Sequence, residues 1–248
     1  MATISENIQQ LHGRIERACH QASRPVDSVT LLVVTKTFPA SDVREAFAAG
    51  ECRFGENYVQ EGVDKIDALI DLRDRVEWHL IGPLQSNKTR VVAERFDWVH
   101  TVDRLKIAQR LSEQRPATLP PLNVCLQVNI SGEDTKSGLA PADVADAARA
   151  VAVLPRLRLR GLMAIPEPAE TLEAQRRPHR ALAELMAALN RDLGLGLDTL
   201  SMGMSADMDA AILEGATLVR VGSAIFGARS RPSPPPSPPS PPSPEPAA

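Results

Sequence analysis

Eight short runs of β-branched and aliphatic residues recur along the chain, at 29–36, 52–57, 76–82, 98–103, 122–130, 157–165, 199–204 and 217–225. Stretches with helical periodicity separate them, at 41–49, 58–71, between the 83–88 loop and Phe96, and at 104–114, 141–154, 169–192 and 206–214. A run such as Val29-Thr30-Leu31-Leu32-Val33-Val34 is apolar on both faces, as a strand covered on both sides of a parallel sheet must be. Eight such units in 248 residues predict an α/β protein, a single (β/α)8 TIM barrel, a fold that typically takes ~250 residues. An open doubly wound sheet is the alternative, but it calls for GxGxxG in the first βα turn, and none is there.

An extra amphipathic helix is predicted at 3–22. Thr3-Ile4-Ser5-Glu6 is a capping-box pattern, and Ile4, Ile8, Leu11, Ile15 and Ala18 follow at helical spacing. No helix is legible after the last apolar run, so this N-terminal one is expected to cover the gap. The barrel domain is assigned to 1–229. Residues 230–248 are almost all Pro and Ser and cannot bury a core, so they are read as a disordered tail.

Several function classes are disfavoured by composition. A formal net charge of -3 and 3% aromatic residues give neither the field nor the stacking surface of a nucleic-acid binder. Cys19, Cys52 and Cys125 are far apart and form no CxxC pair, which argues against disulfide or zinc frameworks and fits a reducing compartment. The N-terminus is polar, and no apolar stretch is long enough to cross a bilayer. The expected location is cytoplasmic.

The unusual polar residues gather at the carboxyl ends of the predicted strands, the face where barrel active sites lie. Lys36 ends the first, Glu56-Asn57 the second, Asp103 the fourth, and Met202-Gly203-Met204-Ser205 the seventh; Arg220-Val221-Gly222-Ser223 lies late in the eighth. A lysine partly desolvated at a barrel mouth has a lowered pKa and a nucleophilic amine; otherwise it simply reaches water. Ser205 is read as a helix N-cap whose hydroxyl, with the backbone around Gly203, Gly222 and Ser223, could cradle a phosphate after strands seven and eight. The alternative is that the serine only caps and the glycines only turn. Arg220, in a strand covered on both faces, needs an anion or several acceptors: a phosphate, a cofactor ring nitrogen, or a carboxylate such as Asp103 or Glu56. His79, in an apolar strand, reads as a hydrogen-bonded core residue. The 132–138 segment lacks the GxxxxGK[ST] order of an NTPase loop.

An amine on one strand and a phosphate cradle across the mouth suit a ligand with an aldehyde at one end and a phosphate at the other. Pyridoxal 5'-phosphate is such a ligand. A Schiff-base aldolase acting on a sugar phosphate would use the same two ends.

Longer motifs separate these readings. They are Leu32-Val-Val-Thr-Lys36, Phe54-Gly-Glu-Asn-Tyr-Val-Gln-Glu61, Trp78-His-Leu-Ile-Gly-Pro-Leu-Gln-Ser-Asn-Lys88, Gln127-Val-Asn-Ile-Ser131 with Lys136-Ser-Gly138, Arg160-Gly-Leu-Met-Ala-Ile165, Leu200-Ser-Met-Gly-Met-Ser205 and Val219-Arg-Val-Gly-Ser-Ala-Ile-Phe-Gly227. Together they resemble the YggS/PROSC family of pyridoxal phosphate homeostasis proteins over nearly the whole chain to Arg229. The resemblance implies the fold type III barrel of the alanine racemase N-terminal domain and Lys36 as the internal aldimine lysine. It further implies a phosphate held by the Ser205 and Arg220–Ser223 segments, with Asn57, His79, Ser201 and Met202 around the cofactor. The chain departs from the family at its end, where Gly227-Ala-Arg229 passes into the Pro/Ser tail.

The implied role is to hold pyridoxal phosphate and pass it on, with cofactor-accepting apoenzymes as transient partners and no nucleic acid or membrane partner. A weak racemase is the second reading. Racemisation needs proton donors and acceptors on both faces of the cofactor. In alanine racemases the second is a tyrosine from an additional domain, and here the only tyrosine is Tyr58. Without that dimer-forming domain a monomer is expected.

Overall fold

The computed structural model describes residues 2–132 and 137–227. The expectations for Lys136, for Arg229, for the domain boundary at 229 and for the Pro/Ser tail lie outside the described residues. Eight parallel strands close into a barrel in chain order: β1 (Thr30–Val34), β2 (Arg53–Glu56), β3 (Glu77–Leu80), β4 (Trp98–Val102), β5 (Leu122–Gln127), β6 (Leu157–Met163), β7 (Thr199–Ser201) and β8 (Leu218–Val221), with β8 paired to β1. The helices are α1 (Ile4–Gln21), α2 (Ala40–Ala48), α3 (Val59–Ala68), α4 (Thr89–Arg95), α5 (Leu105–Gln114), α6 (Val144–Ala152), α7 (Leu172–Leu193), α8 (Met208–Leu213) and α9 (Ser223–Phe226).

α1 forms as its sequence dictates. Thr3 Oγ1 accepts the Glu6 N–H, and the Glu6 carboxylate accepts the Thr3 N–H, which closes the capping box. Its buried stripe, Ile8, Leu11, Ile15, Ala18 and Cys19, packs toward the barrel. Polar groups then fasten it beside the last strand. Asn7 donates to the Ile225 carbonyl at 2.7 Å, Arg14 to Asp209 at 2.8 Å, and Arg24 to the Ile212 carbonyl at 2.9 Å.

Three expectations need correction. The last strand ends at Val221 rather than Ile225, and a one-turn helix, α9, follows, so the gap expected there is filled by α1 and α9 together. Gly222 is the reason: it passes so close to β1 that an added Cβ would lie 2.6 Å from the Val34 carbonyl oxygen, and the chain turns there. Lys36 does not end β1. It sits in the turn beyond it, next to Thr37 at φ 68°. β7 is three residues long, leaving Met202, Gly203 and Met204 in the connection to α8.

The main core lies between barrel and helices, around Phe54, Trp78, Leu80, Val99, Leu126 and Val219. Inside the barrel the apolar side chains form two separate groups. Leu32, Val34, Ile81 and Leu218 form one, and Trp98, Cys125 and Met163 the other. Buried polar residues occupy the space between.

Candidate functional site

The carboxyl ends of the strands surround a cavity of about 480 Å³, lined by Asn57, Ile81, Thr101, Gln127, Asn129 and Met204 among others. Asn57 is thus a predicted site residue that lines the mouth. The end of β3 is pressed against it: a Cβ on Gly82 would lie 2.0 Å from the Asn57 carbonyl oxygen, so only glycine fits.

Lys36 is half-buried on the same rim. Because β8 pairs with β1, the segment that follows β8 lies beside the lysine turn. Gly222 touches Val34, and Ser223 Oγ lies 3.2 Å from Ser205 Oγ. Closure of the barrel makes the first and last strands neighbours, so the segment bearing Ser223 follows β8 next to the turn that bears Lys36.

Ser205 is not an N-cap. α8 begins at Met208, and the cap position belongs to Asp207. Asp207 Oδ1 accepts the Met204 N–H at 2.7 Å, and its Oδ2 lies 3.0 Å from His179 Nε2 of α7. Burial pushes the Asp207 carboxyl up, but the hydrogen bonds from His179 and the Met204 N–H outweigh it and leave the carboxyl below its usual range. Arg14 of α1 donates to the Ser205 carbonyl at 2.9 Å, and the Gly203 carbonyl accepts the Arg220 N–H at 2.9 Å. Gly203, at φ 91°, leaves no room for a Cβ, which would meet Ala211 Cβ at 2.6 Å. Met202 is wholly buried in the core outside the barrel.

Arg220 points neither to Asp103 nor to Glu56. Its Nη1 donates to the Ser201 carbonyl at 2.6 Å and to Ser201 Oγ at 2.8 Å, and its Nη2 donates to the Ala164 carbonyl at 2.9 Å. Asp103 pairs with Arg104, and Glu56 with Lys65. Several neutral acceptors thus satisfy the guanidinium, which burial lowers to about 10 against the opposing pull of Asp207.

Ser201 continues a chain of buried groups. Its Oγ lies 2.7 Å from His100 Nδ1, and His100 Nε2 lies 2.9 Å from His79 Nδ1. His79 Nε2 is 3.5 Å from Glu77 Oε2, beyond hydrogen-bonding distance. His79 and Ser201 are therefore in the barrel interior beneath the rim. His79 belongs to a smaller cavity of about 330 Å³ that it lines with Trp98, Arg53 and Arg160. Burial lowers the basicity of both histidines, most for His100, which also feels His79 and Arg220.

His100, Thr101 and Gln127 were not singled out from the sequence. His100 shares an alternating face with Trp98 in 98–103, and that alternation is the signal that could have found it. An amine, a pair of hydroxyls and a buried guanidinium on adjoining strands suit a ligand carrying an electrophilic carbonyl and an anion. Among the described residues, no group of three or more His, Cys, Asp or Glu could hold a metal.

The family described as alanine racemase, N-terminal domain, matches residues 6–230. A pyridoxal phosphate homeostasis protein of Pseudomonas aeruginosa is 62% identical over 234 residues, covering 94% of this chain and 99% of its own length. One from Escherichia coli K12 is 55% identical over 230 residues, covering 92% of this chain and 98% of its own. Among solved structures, PipY of Synechococcus elongatus PCC7942 with PLP bound superposes with a TM-score of 0.79 at 36% identity, covering 91% of this chain and 100% of PipY. Alanine racemase from Corynebacterium glutamicum, at 17% identity and a TM-score of 0.64, covers 87% of this chain and 60% of its own and shares the fold alone.

Proposed function

This chain belongs to the pyridoxal phosphate homeostasis protein family, built on the alanine racemase N-terminal barrel, and from that membership we propose that it holds pyridoxal 5'-phosphate through Lys36 and releases it to other proteins. The observation that carries the reading is the adjacency of β1 and β8. It sets the Lys36 turn beside the Ser205 and Ser223 hydroxyls, at a barrel mouth with a cavity of about 480 Å³. When bound, the cofactor supplies an aldehyde for an amine and a phosphate for hydrogen-bond donors.

The residues divide the work. Lys36 would supply the amine for that aldehyde. Ser205 and Ser223 would hold the phosphate, on a backbone that Gly203 and Gly222 let pack against Ala211 and Val34. Asn57 bounds the ring, and Met202 anchors the seventh-strand loop in the core. Arg220 is fixed by Ser201 and through it by His100 and His79.

Turnover is a weaker reading. Tyr58, the only tyrosine in the chain, is 60% exposed at the start of α3, so no phenol stands ready as a second base. In this reading the protein keeps the cofactor as a cytoplasmic monomer and passes it to apoenzymes as transient recipients. Among the described residues no helix is long and apolar enough to cross a membrane.

A titration followed by visible absorbance tests the reading. Wild-type protein mixed with pyridoxal phosphate turns yellow and retains the colour through dialysis, whereas Lys36→Ala does not. A colourless wild-type protein, or rapid interconversion of alanine enantiomers at ordinary enzymatic rates, overturns it.

A further inference from the structure

Lys36 lies between two residues whose backbones are gripped from α3. Glu61 Oε1 accepts the Thr37 N–H at 2.5 Å, and Lys65 Nζ donates to the Thr35 carbonyl at 2.6 Å. Lys65 also donates to Glu56 Oε1 at 2.6 Å and to Glu61 Oε1 at 2.7 Å, and Thr35 Oγ1 donates to Glu56 Oε1 at 2.5 Å. The Glu56 and Lys65 side chains are 0% and 7% exposed, and that of Glu61 is 25% exposed. The clamp thus runs from the end of β2 through α3 to both neighbours of Lys36.

Thr37 explains why a clamp is needed. Its φ of 68° is a left-handed backbone that a β-branched residue disfavours. Such a conformation persists only where its surroundings hold it, and here the Glu61 carboxylate holds the N–H. Burial raises the Glu56 carboxyl above its ordinary range, a rise that the Lys65 ammonium opposes.

We propose that Glu61 and Lys65 are positioning residues for Lys36: they lock the turn so that its amine meets the aldehyde of the cofactor. The inference rests on the reading of Lys36 as the anchor. Lys65 is no second anchor. Its N–H groups are matched by the Thr35, Glu56 and Glu61 acceptors, and an ammonium so engaged offers no lone pair to a carbonyl carbon.

The test compares wild-type protein with Glu61→Ala and Glu61→Gln. The glutamine keeps an acceptor at the Oε1 position, and the part-exposed site spares the core. In cofactor-free protein, amide exchange across residues 35–38 is expected to speed up about tenfold in Glu61→Ala and to return within about threefold of wild type in Glu61→Gln. The dissociation constant for pyridoxal phosphate is expected to follow the same order, weakening about tenfold and then recovering. Unchanged exchange in Glu61→Ala, or faster exchange with an unchanged dissociation constant, overturns the positioning role. Should Glu61→Ala fold poorly, Lys65→Met takes its place with the same expected loss. A wild-type protein that forms no adduct overturns the Lys36 reading itself, whereas one that binds as tightly with Glu61→Ala overturns this inference alone.

Discussion

Ser201 Oγ and His100 Nδ1 lie 2.7 Å apart inside the barrel, and this contact fixes the proton positions of every group behind it. Arg220 can only donate, so Ser201 Oγ accepts from it and gives its own proton to His100 Nδ1. His100 must then carry its hydrogen on Nε2 and donate to His79 Nδ1, which leaves the His79 hydrogen on Nε2, facing Glu77. The opposite direction would strand the serine proton and aim an imidazole lone pair at a carboxylate. With Ser201 as donor, the Ser201–His100 and His100–His79 hydrogen bonds both form only when both histidines are neutral.

A pH dependence follows from that neutrality. Burial lowers both folded-state pKa values below the ordinary 6.5, so below that pH the unfolded chain binds protons that the folded one refuses. Stability is therefore complete above pH 6.5 and is lost as the pH falls from there toward the lower folded-state values. Thermal melts from about pH 7 to about pH 5 are expected to show a steep fall in Tm. His100→Gln, which can accept from Ser201 and donate to His79 without titrating, should flatten the slope. Equal slopes for the two proteins would refute the assignment.

Gly222→Ala is expected to cost about 1–3 kcal/mol, because the new methyl group collides with the Val34 carbonyl where β8 meets β1. Urea unfolding measures this cost. Since the same contact sets the Ser223 hydroxyl beside the Lys36 turn, pyridoxal phosphate affinity should drop with it, while a variant of full stability and affinity would show that the close approach is not needed.

Asp207→Ala removes the acceptor of the Met204 N–H and the partner of a buried His179. The expected loss is about 2–4 kcal/mol in urea unfolding. The loop it braces carries Ser205, so cofactor release should quicken too. Stopped-flow measurement of release distinguishes that effect from simple destabilisation, since a purely structural Asp207 would leave the rate unchanged.

Much of the barrel can be read from the chain because apolar runs and helical stretches alternate, and strands such as β4 are buried on both faces. The capping box at Thr3 and Glu6 predicts where α1 starts to within one residue. Side-chain destinations are harder. Ser205 has the spacing of an N-cap, yet tertiary contacts give that position to Asp207, whose partner His179 is far away in sequence. Arg220 demands acceptors, but sequence cannot show that three neutral ones from Ser201 and Ala164 converge on it. Glu61 and Lys65 stand four apart on one helix, a spacing that predicts a surface ion pair. Only the fold brings Glu56 and the Thr35 carbonyl to the same ammonium. The order of strands around the barrel likewise makes the segments after β8 and β1 neighbours, although they lie at opposite ends of the chain.

The most direct test of the account is covalent. Protein loaded with pyridoxal phosphate is reduced with borohydride, digested, and its lysine peptides are weighed. The account predicts the reduced cofactor on the peptide containing Lys36 and on none of those containing Lys65, Lys88, Lys106 or Lys136. A label on any of those four, or on no lysine at all, contradicts it.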